Sequence, residues 1–399
     1  MHPLADMWTI HGPQRDPFPG LHYPKYQYNV WEAIHRNGNS CDYISENILQ
    51  QSKFEKGFLT YNTRKYHTIL LIEVESVEPE TARALAAFAA AGGRLIFVGK
   101  EPHRSPGWKD HRSRDEEVKQ TVANMKQAHP SKLFTVEAPG DDLMTWYKGI
   151  QQQCDLKPYL QIESPDPFVS QIRHRTKDRD FLFIVNSSSD RRIATNMRFV
   201  EAGNRKPVLW DAETGEKHPY PTGPDGTLAV DLPPAASQLI VFEKATVEGE
   251  AVTDPSGDGP VIDGWNIFLE HIDGRKETRE QAPLFDLADD PQTQSFAGYV
   301  HYSREVDDAT VRPYLDLGRV YGVSEVTVNG EALGCKWYGR HLYRLPEHLA
   351  KAQRKTIEVK VTTTVGNYLK SSPDNATGQN WTRGQPRQPI GMVGPVRLF

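Results

Sequence analysis

"LIEVESVEPETARALAAFAAAGGRLIFVGKEP", residues 71–102, reads as strand, helix, paired glycine and strand, and it decides the class of the N-terminal third. The apolar run it continues, "HTILLIEV" (67–74), suits a parallel strand covered on both faces. Pro79 opens the helix, acids stand in its first turn, Ala and Leu fill it, and Gly92 and Gly93 end it. Strand–helix–strand of this length implies a right-handed crossover and an α/β layer. The glycines decide more. A dinucleotide site puts them between the strand and the following helix, where helix N-terminal amides meet phosphate. Here they stop the helix instead, so no nucleotide, flavin or other cofactor is expected. An amidotransferase-type fold would need a cysteine on the sharp turn after a strand. The turns offer Glu75, Ser76 and Val77, or Lys100 and Glu101. Glu73 and Glu75, at i and i+2, read as acids on one strand face, turned to solvent.

A chain of 399 residues is expected to hold two to four domains. Its net charge of −5 argues against a broad basic surface for nucleic acid. No run of 18 apolar residues occurs, so no membrane partner is expected. Cys41, Cys154 and Cys335 lie far apart with no C-x-x-C, which predicts isolated thiols packed as small hydrophobes and no metal site. The opening, "MHPLADMWTIHGPQRDPFPG", lacks the basic and apolar regions of a signal peptide. Within it "LADMWTI" (4–10) reads as a core strand entered at once, as in a chain cut from the end of a longer protein.

Three stretches follow from the pattern. Residues 1–145 alternate strand and helix, with "YQYNVWEAIHRNG" (26–38) a helix that Gly38 closes. Residues 160–245 switch to short strands and turns: "FLFIVNSSSDRRIATNMRFV", "KPVLWDAETGEKHPYP" and "GTLAVDLPPAASQLIVFE". That spacing predicts an antiparallel β-sandwich. Residues 246–260 are polar, with Gly and Pro, and read as a linker. Residues 261–399 return to strands, including an Asn-Gly hairpin in "VSEVTVNGEALG" (323–334), strands in "LYRLPEHL" and "KTIEVKVTTTVGNYL", and a closing "GMVGPVRLF". A jelly roll is the simplest form for this unit.

The stretch "YLDLGRVYGVSEVTVNGEALGCKWYGRHLYRL" (314–345), then Gly366-Asn367-Tyr368 after a Val/Thr strand, then the closing "GMVGPV", resembles the galactose-binding-like jelly roll appended to many glycoside hydrolases. Upstream, "YNVWEAIHRNG", "CDYISENIL", "LAAFAAAGGRLIFVGKEP" and the strands of 181–243 follow an order similar to the C-terminal half of family 106 α-L-rhamnosidase-like enzymes. The resemblance implies a multidomain α/β plus all-β chain. It would consist of an N-terminal class I amidotransferase-like layer domain without a nucleophile, a β-sandwich and a C-terminal galactose-binding-like jelly roll. It implies plant or algal polysaccharide as the carbohydrate partner and a periplasmic or extracellular setting. In such enzymes a (β/α)₈ barrel lying N-terminal to these modules carries out hydrolysis. A barrel needs about 250 residues, so it would be supplied upstream or by a separate chain. The family's acid and base have no counterpart here, and no catalytic residue is assigned.

Sugars bind to aromatic faces and planar polar groups held on the loops of a rigid scaffold. Trp337, Tyr338 and Arg340 cluster after the hairpin, and Asn367, Tyr368, Trp381 and Arg383 stand in a long polar segment read as an irregular loop. These seven are the candidate carbohydrate contacts; packing between domains is the other use for them. His103, His111, Asp110 and Asp115 lie in "EPHRSPGWKDHRSRDEE" (101–117), which matches no metal-ligand spacing and reads as a solvated loop. Asn186, Asn375 and Asn380 begin N-x-S/T sequons. Two further functions compete with the accessory reading. One is an active glycosidase using Glu73 and Glu75, or Asp263 and Glu270. The other is an adhesion or scaffold protein built on the β-sandwiches.

Overall fold

Leu95 and Phe97 face one side of a parallel sheet and Ile96 and Val98 the other, and all four are fully buried. Their strand, Arg94–Val98, is the centre of the sheet, flanked by Thr68–Ile72 and Leu133–Val136. Helices Pro79–Ala90 and His111–Ala128 cover the first side through Leu85, Phe88, Val118 and Val122. Helices Gln27–Arg36 and Leu143–Gln153 cover the second through Val30, Ile34, Tyr147 and Ile150. Apolar runs without alternation are what two covered faces require. At Gly92, φ is +93°, which ends the helix in the left-handed region. A Cβ on Gly93 would lie 2.2 Å from the Phe88 ring, so only glycine lets the chain turn back this tightly.

This computed structural model describes Asp6, Thr9, Pro24, 26–245, 247–249, 251, 255, 257 and 259–399. Its architecture is multi-sheet and mostly β, with few helices. The strand expected over 4–10 lies largely outside the described residues; Asp6 and Thr9 within it are helical. The linker expected over 246–260 lies partly outside them as well. A three-stranded antiparallel sheet, Lys53–Glu55, Phe58–Tyr61 and Arg64–Tyr66, stands beside the parallel one and was not expected.

In the middle of the chain, a five-stranded antiparallel sheet runs Lys217–Pro219, Lys206–Trp210, Ser237–Glu243, Asp180–Asn186, Val169–Arg175. A second sheet of Leu228–Leu232, Ile193–Phe199 and Leu160–Ile162 faces it. Leu182, Ile184, Met197, Phe199, Val230 and Ile240 fill the space between. At the C-terminal end, six strands run Lys276–Ala282, Trp265–His271, Gly298–Asp307, Arg354–Thr362, Val323–Val328, Glu331–Lys336. Four more, Val261–Ile262, Val396–Leu398, Tyr314–Asp316 and Leu342–Arg344, form the opposing sheet. Trp265 and Tyr302 are the largest fully buried side chains of the core between them.

Four local expectations are corrected. His111 starts the helix His111–Ala128, so the second half of the 101–117 stretch is not loop. The Val/Thr strand stops at Thr362, and Gly366–Lys370 is a short helix. Ala376–Thr382 is a second helix within the segment read as irregular. "LYRLPEHL" is a short strand, Leu342–Arg344, followed by the helix Glu347–Ala350. The last three elements are too short for a period to show, whereas the 18-residue helix His111–Ala128 is masked by its charge, with only Val118, Val122 and Met125 buried.

Candidate functional site

The hairpin of Val323–Val328 and Glu331–Lys336 turns on Asn329 and Gly330, with φ of +49° and +83°. Two positive φ values match the twist of the flanking strands, and the hairpin delivers Lys336 to Arg340 to the middle sandwich. Lys336 Nζ lies 2.9 Å from Glu213 Oε2. Burial first, then the neighbouring Glu213 carboxylate, push the Tyr338 phenol above its ordinary range. Arg340 donates twice to Asp316 Oδ2, at 3.0 and 2.6 Å, and once to the Pro255 carbonyl at 2.5 Å. Its planar head is therefore engaged by the chain's own acceptors. Trp337 meets Tyr338 edge-on at 4.8 Å and remains 70% exposed.

The other four candidates have a separate support. Asn367 is buried and closes a two-way bridge with Gln388, donating to its carbonyl at 2.7 Å and accepting from its amide at 2.9 Å. Tyr368 sets its ring edge-on to His271 at 5.5 Å. Trp381, 79% exposed, rides on the helix Ala376–Thr382, whose start Asn375 caps by accepting from Gly378 N at 2.8 Å. Arg383 follows that helix and is exposed. Of the sequons, Asn186 is closed. Its amide donates to the carbonyls of Arg191, Leu232 and Pro233 at 2.7–3.1 Å, and it has no exposed surface.

Glu73 and Glu75 do not share a solvent-facing strand face. The strand ends at Ile72, and Glu73 takes φ of +55°. Its carboxylate accepts from Tyr26 Oη at 2.7 Å and lies over Gly99, where a Cβ would come within 2.5 Å of it. Side-chain exposure is 14% for Glu73 and 20% for Glu75, which corrects the expectation that both face water. Lys100 Nζ sits 2.5 Å from Glu75 and 3.9 Å from Glu73, and Arg104 reaches Glu75 at 3.2 Å. Hydrogen bonding from Lys100 holds the Glu75 carboxyl below the ordinary range. A general acid needs the opposite, a carboxyl kept protonated by its surroundings. The other pair is no better placed. Asp263 is exposed and accepts from its neighbour Gly264 N at 3.0 Å, and Glu270 faces Lys276 at 3.3 Å.

Two further features escaped sequence reasoning. A cavity of about 250 Å³ lies between the helix Gln27–Arg36 and the strand Thr68–Ile72, with Trp31, Cys41, Tyr43, Tyr61 and Tyr66 on its walls. Burial pushes the Cys41 thiol up to about 12, so it is not a nucleophile at neutral pH. The three thiols differ: Cys154 is buried, Cys41 half-buried and Cys335 exposed, so packing as a small hydrophobe does not describe Cys335. The second feature is a buried trio. Ser324 Oγ lies 2.6 Å from His341 Nδ1 and 2.6 Å from Tyr343 Oη. Ser324 is fully buried, which leaves no approach for a substrate, so the trio serves packing. Its signal was present: in "VSEVTV" Ser324 falls in phase with the inward Val326 and Val328.

The family described as alpha-L-rhamnosidase matches residues 28–221 of this chain. A Formosa agariphila protein provisionally named a beta-glucuronidase is 26% identical over 231 residues, 54% of this chain and 18% of that protein. The solved rhamnosidase of Novosphingobium sp. PP1Y covers 90% of this chain at 23% identity, with a TM-score of 0.59. At that identity the likeness is one of fold. This chain spans 36% of the rhamnosidase and less than a fifth of the glucuronidase-named protein.

Proposed function

Because this chain is a relative of the glycoside hydrolases, on the side of the α-L-rhamnosidases, we propose that it is an accessory region of such an enzyme acting on plant or algal polysaccharide. In this reading residues 1–145 form an amidotransferase-like layer domain without a nucleophile, 160–245 a β-sandwich, 246–260 a linker and 261–399 a galactose-binding-like jelly roll. Together they support a catalytic barrel carried upstream or on another chain, and the jelly roll contacts carbohydrate. The observation that carries the proposal is the clamp at Glu213. Lys336 pairs with Glu213 of the middle sandwich and Tyr338 lies beside the same carboxylate, which ties the two units at this point and leaves Trp337 bare next to it. Trp381 is the second bare ring of the same unit. Large exposed aromatics on rigid supports suit a neighbouring domain or a sugar face.

The bracing of Glu75 by Lys100 and Arg104 favours a supporting role over catalysis in the α/β unit. Hydrolysis needs two carboxyl groups about 5–9.5 Å apart across a cleft, one of them protonated. The test is association with a separately produced family 106 barrel. Sedimentation and thermal melts should show complex formation and a higher melting temperature for the barrel. Replacing Trp337 and Trp381 by alanine together should weaken that complex at least tenfold. A barrel that neither binds this chain nor gains stability from it would remove the accessory reading.

A further inference from the structure

The six-stranded sheet turns one face to the core and the other to solvent. Ile267, Val300, Val359 and Val326 point inward and are buried. On the outer face the residues that alternate with them stand in rungs across four strands: Asn266, Ser303, Glu358 and Thr327 in one, Phe268, His301, Lys360 and Glu325 in the next. Four strands at about 4.8 Å spacing make a platform about 15 Å across. These two rungs line an open cavity of about 400 Å³, within the usual size range of small-ligand sites.

The chemistry of the face selects a ligand class. Phe268 and His301 lie side by side, ring centroids 5.8 Å apart and tilted by 37°, as an aromatic platform at the centre of the cavity. On either side stand hydroxyl, amide and carboxylate groups able to pair with hydroxyls. Among the described residues the Glu358 carboxylate has neither an ion-pair nor a hydrogen-bond partner, although it is exposed beside the platform. Lys360 is not available to an anion: it lies 2.9 Å from Glu325 and 4.9 Å from the Tyr299 ring centroid. The face thus offers stacking surface and acceptors, with its one central cation neutralised and a carboxylate left over. An anionic chain is repelled and a neutral polyol is accommodated.

We propose that this groove binds a neutral glycan chain, distinct from the Trp337 and Trp381 surfaces. The proposal rests on the glycoside hydrolase reading only for the choice of glycan as the polyol. Isothermal titration of the purified chain with neutral rhamno-, galacto- and cello-oligosaccharides, and with oligogalacturonate, tests it. At least one neutral oligosaccharide should bind and oligogalacturonate should not. Phe268→Ala should weaken binding at least tenfold and Glu358→Gln severalfold, with melting curves unchanged, since both side chains lie outside the core. No neutral binding at millimolar concentration, tighter binding of oligogalacturonate, or indifference to both substitutions would each overturn it. Loss of barrel association in Phe268→Ala would also overturn it, by making this face a protein contact. Glycan binding by a chain that does not engage a barrel would leave the groove standing and remove only the accessory reading.

Discussion

Gln171 of the middle sandwich donates its side-chain amide to the carbonyl oxygen of His35, 136 residues away, at 2.9 Å. The same amide reaches the Asn39 carbonyl at 3.0 Å, and Tyr159 Oη donates to Gln171 Oε1 at 2.5 Å. Close by, Leu160 N donates to the Gly38 carbonyl at 3.2 Å, and a Cβ on Gly38 would lie 1.8 Å from the Leu160 carbonyl oxygen. The helix end that Gly38 forms is therefore also the seat of the next unit. Gly38 serves two constraints at once, its φ of +81° and the approach of Leu160.

Gln171→Ala takes the side-chain donor from the Asn39 carbonyl and leaves the His35 carbonyl only its bond from Gly38 N. A buried group left unpaired costs about 1–3 kcal/mol, so the α/β unit should come loose from the sandwich before either melts. Calorimetry of the variant should split or broaden the transition. A single unshifted transition would mean that the contact contributes nothing to coupling.

His341 gives a pH dependence with a definite sign. Burial lowers its folded-state value to about 4, against 6.5 ordinarily. Between those values the unfolded chain binds the proton and the folded chain does not, so stability is full above about pH 6.5 and declines as pH falls toward 4. The upper limit from this one group is about 3 kcal/mol. Chemical melts at pH 7.5 and 5.0 should show the decline, and His341→Gln should reduce its slope. Equal slopes in the two proteins would contradict the assignment to His341.

Asp180 is fully buried on the five-stranded sheet, with Arg173 and Arg175 each donating at 2.8 Å and Arg205 also in contact. Burial works against its charge, but the arginines win and hold the carboxyl below the ordinary range. Asp180→Asn leaves three guanidinium groups around a neutral amide. Removing one partner of a buried pair costs about 3–5 kcal/mol; Arg175 is half exposed, so about 2–3 kcal/mol is expected here. Urea denaturation measures it, and a loss under 1 kcal/mol would show that the cluster is solvated in practice.

Where a period ran long enough, the sequence was legible. "HTILLIEV" and "RLIFVG" are the expected parallel strands, and the helix between them ends at Ala90, before the paired glycines, as expected. Asn329-Gly330 makes the expected hairpin turn. Short elements were not legible: six residues of Lys53–Glu55 and Arg64–Tyr66, and seven of Ala376–Thr382, are too few for alternation or helical spacing to declare itself. Long-range partners were the other gap. Nothing local to Arg340 names Asp316 and Pro255, and nothing near Glu75 says that Lys100 will face it, because those pairings are made by the fold. The outer rungs at Phe268 and Glu358 follow from strand register, which the sequence leaves open until the sheet order is known.

The central claim is that this block of sheets supports glycoside chemistry without performing it. Its most direct test is turnover by the purified chain on aryl α-L-rhamnosides, aryl β-galactosides and rhamnose-rich oligosaccharides, beside Glu73→Gln and Glu270→Gln variants. The prediction is release of product no faster than the reagent blank for all three proteins. Turnover by the unaltered chain that disappears in Glu73→Gln or Glu270→Gln would contradict it, and would make an active site of what is described above as a braced carboxylate.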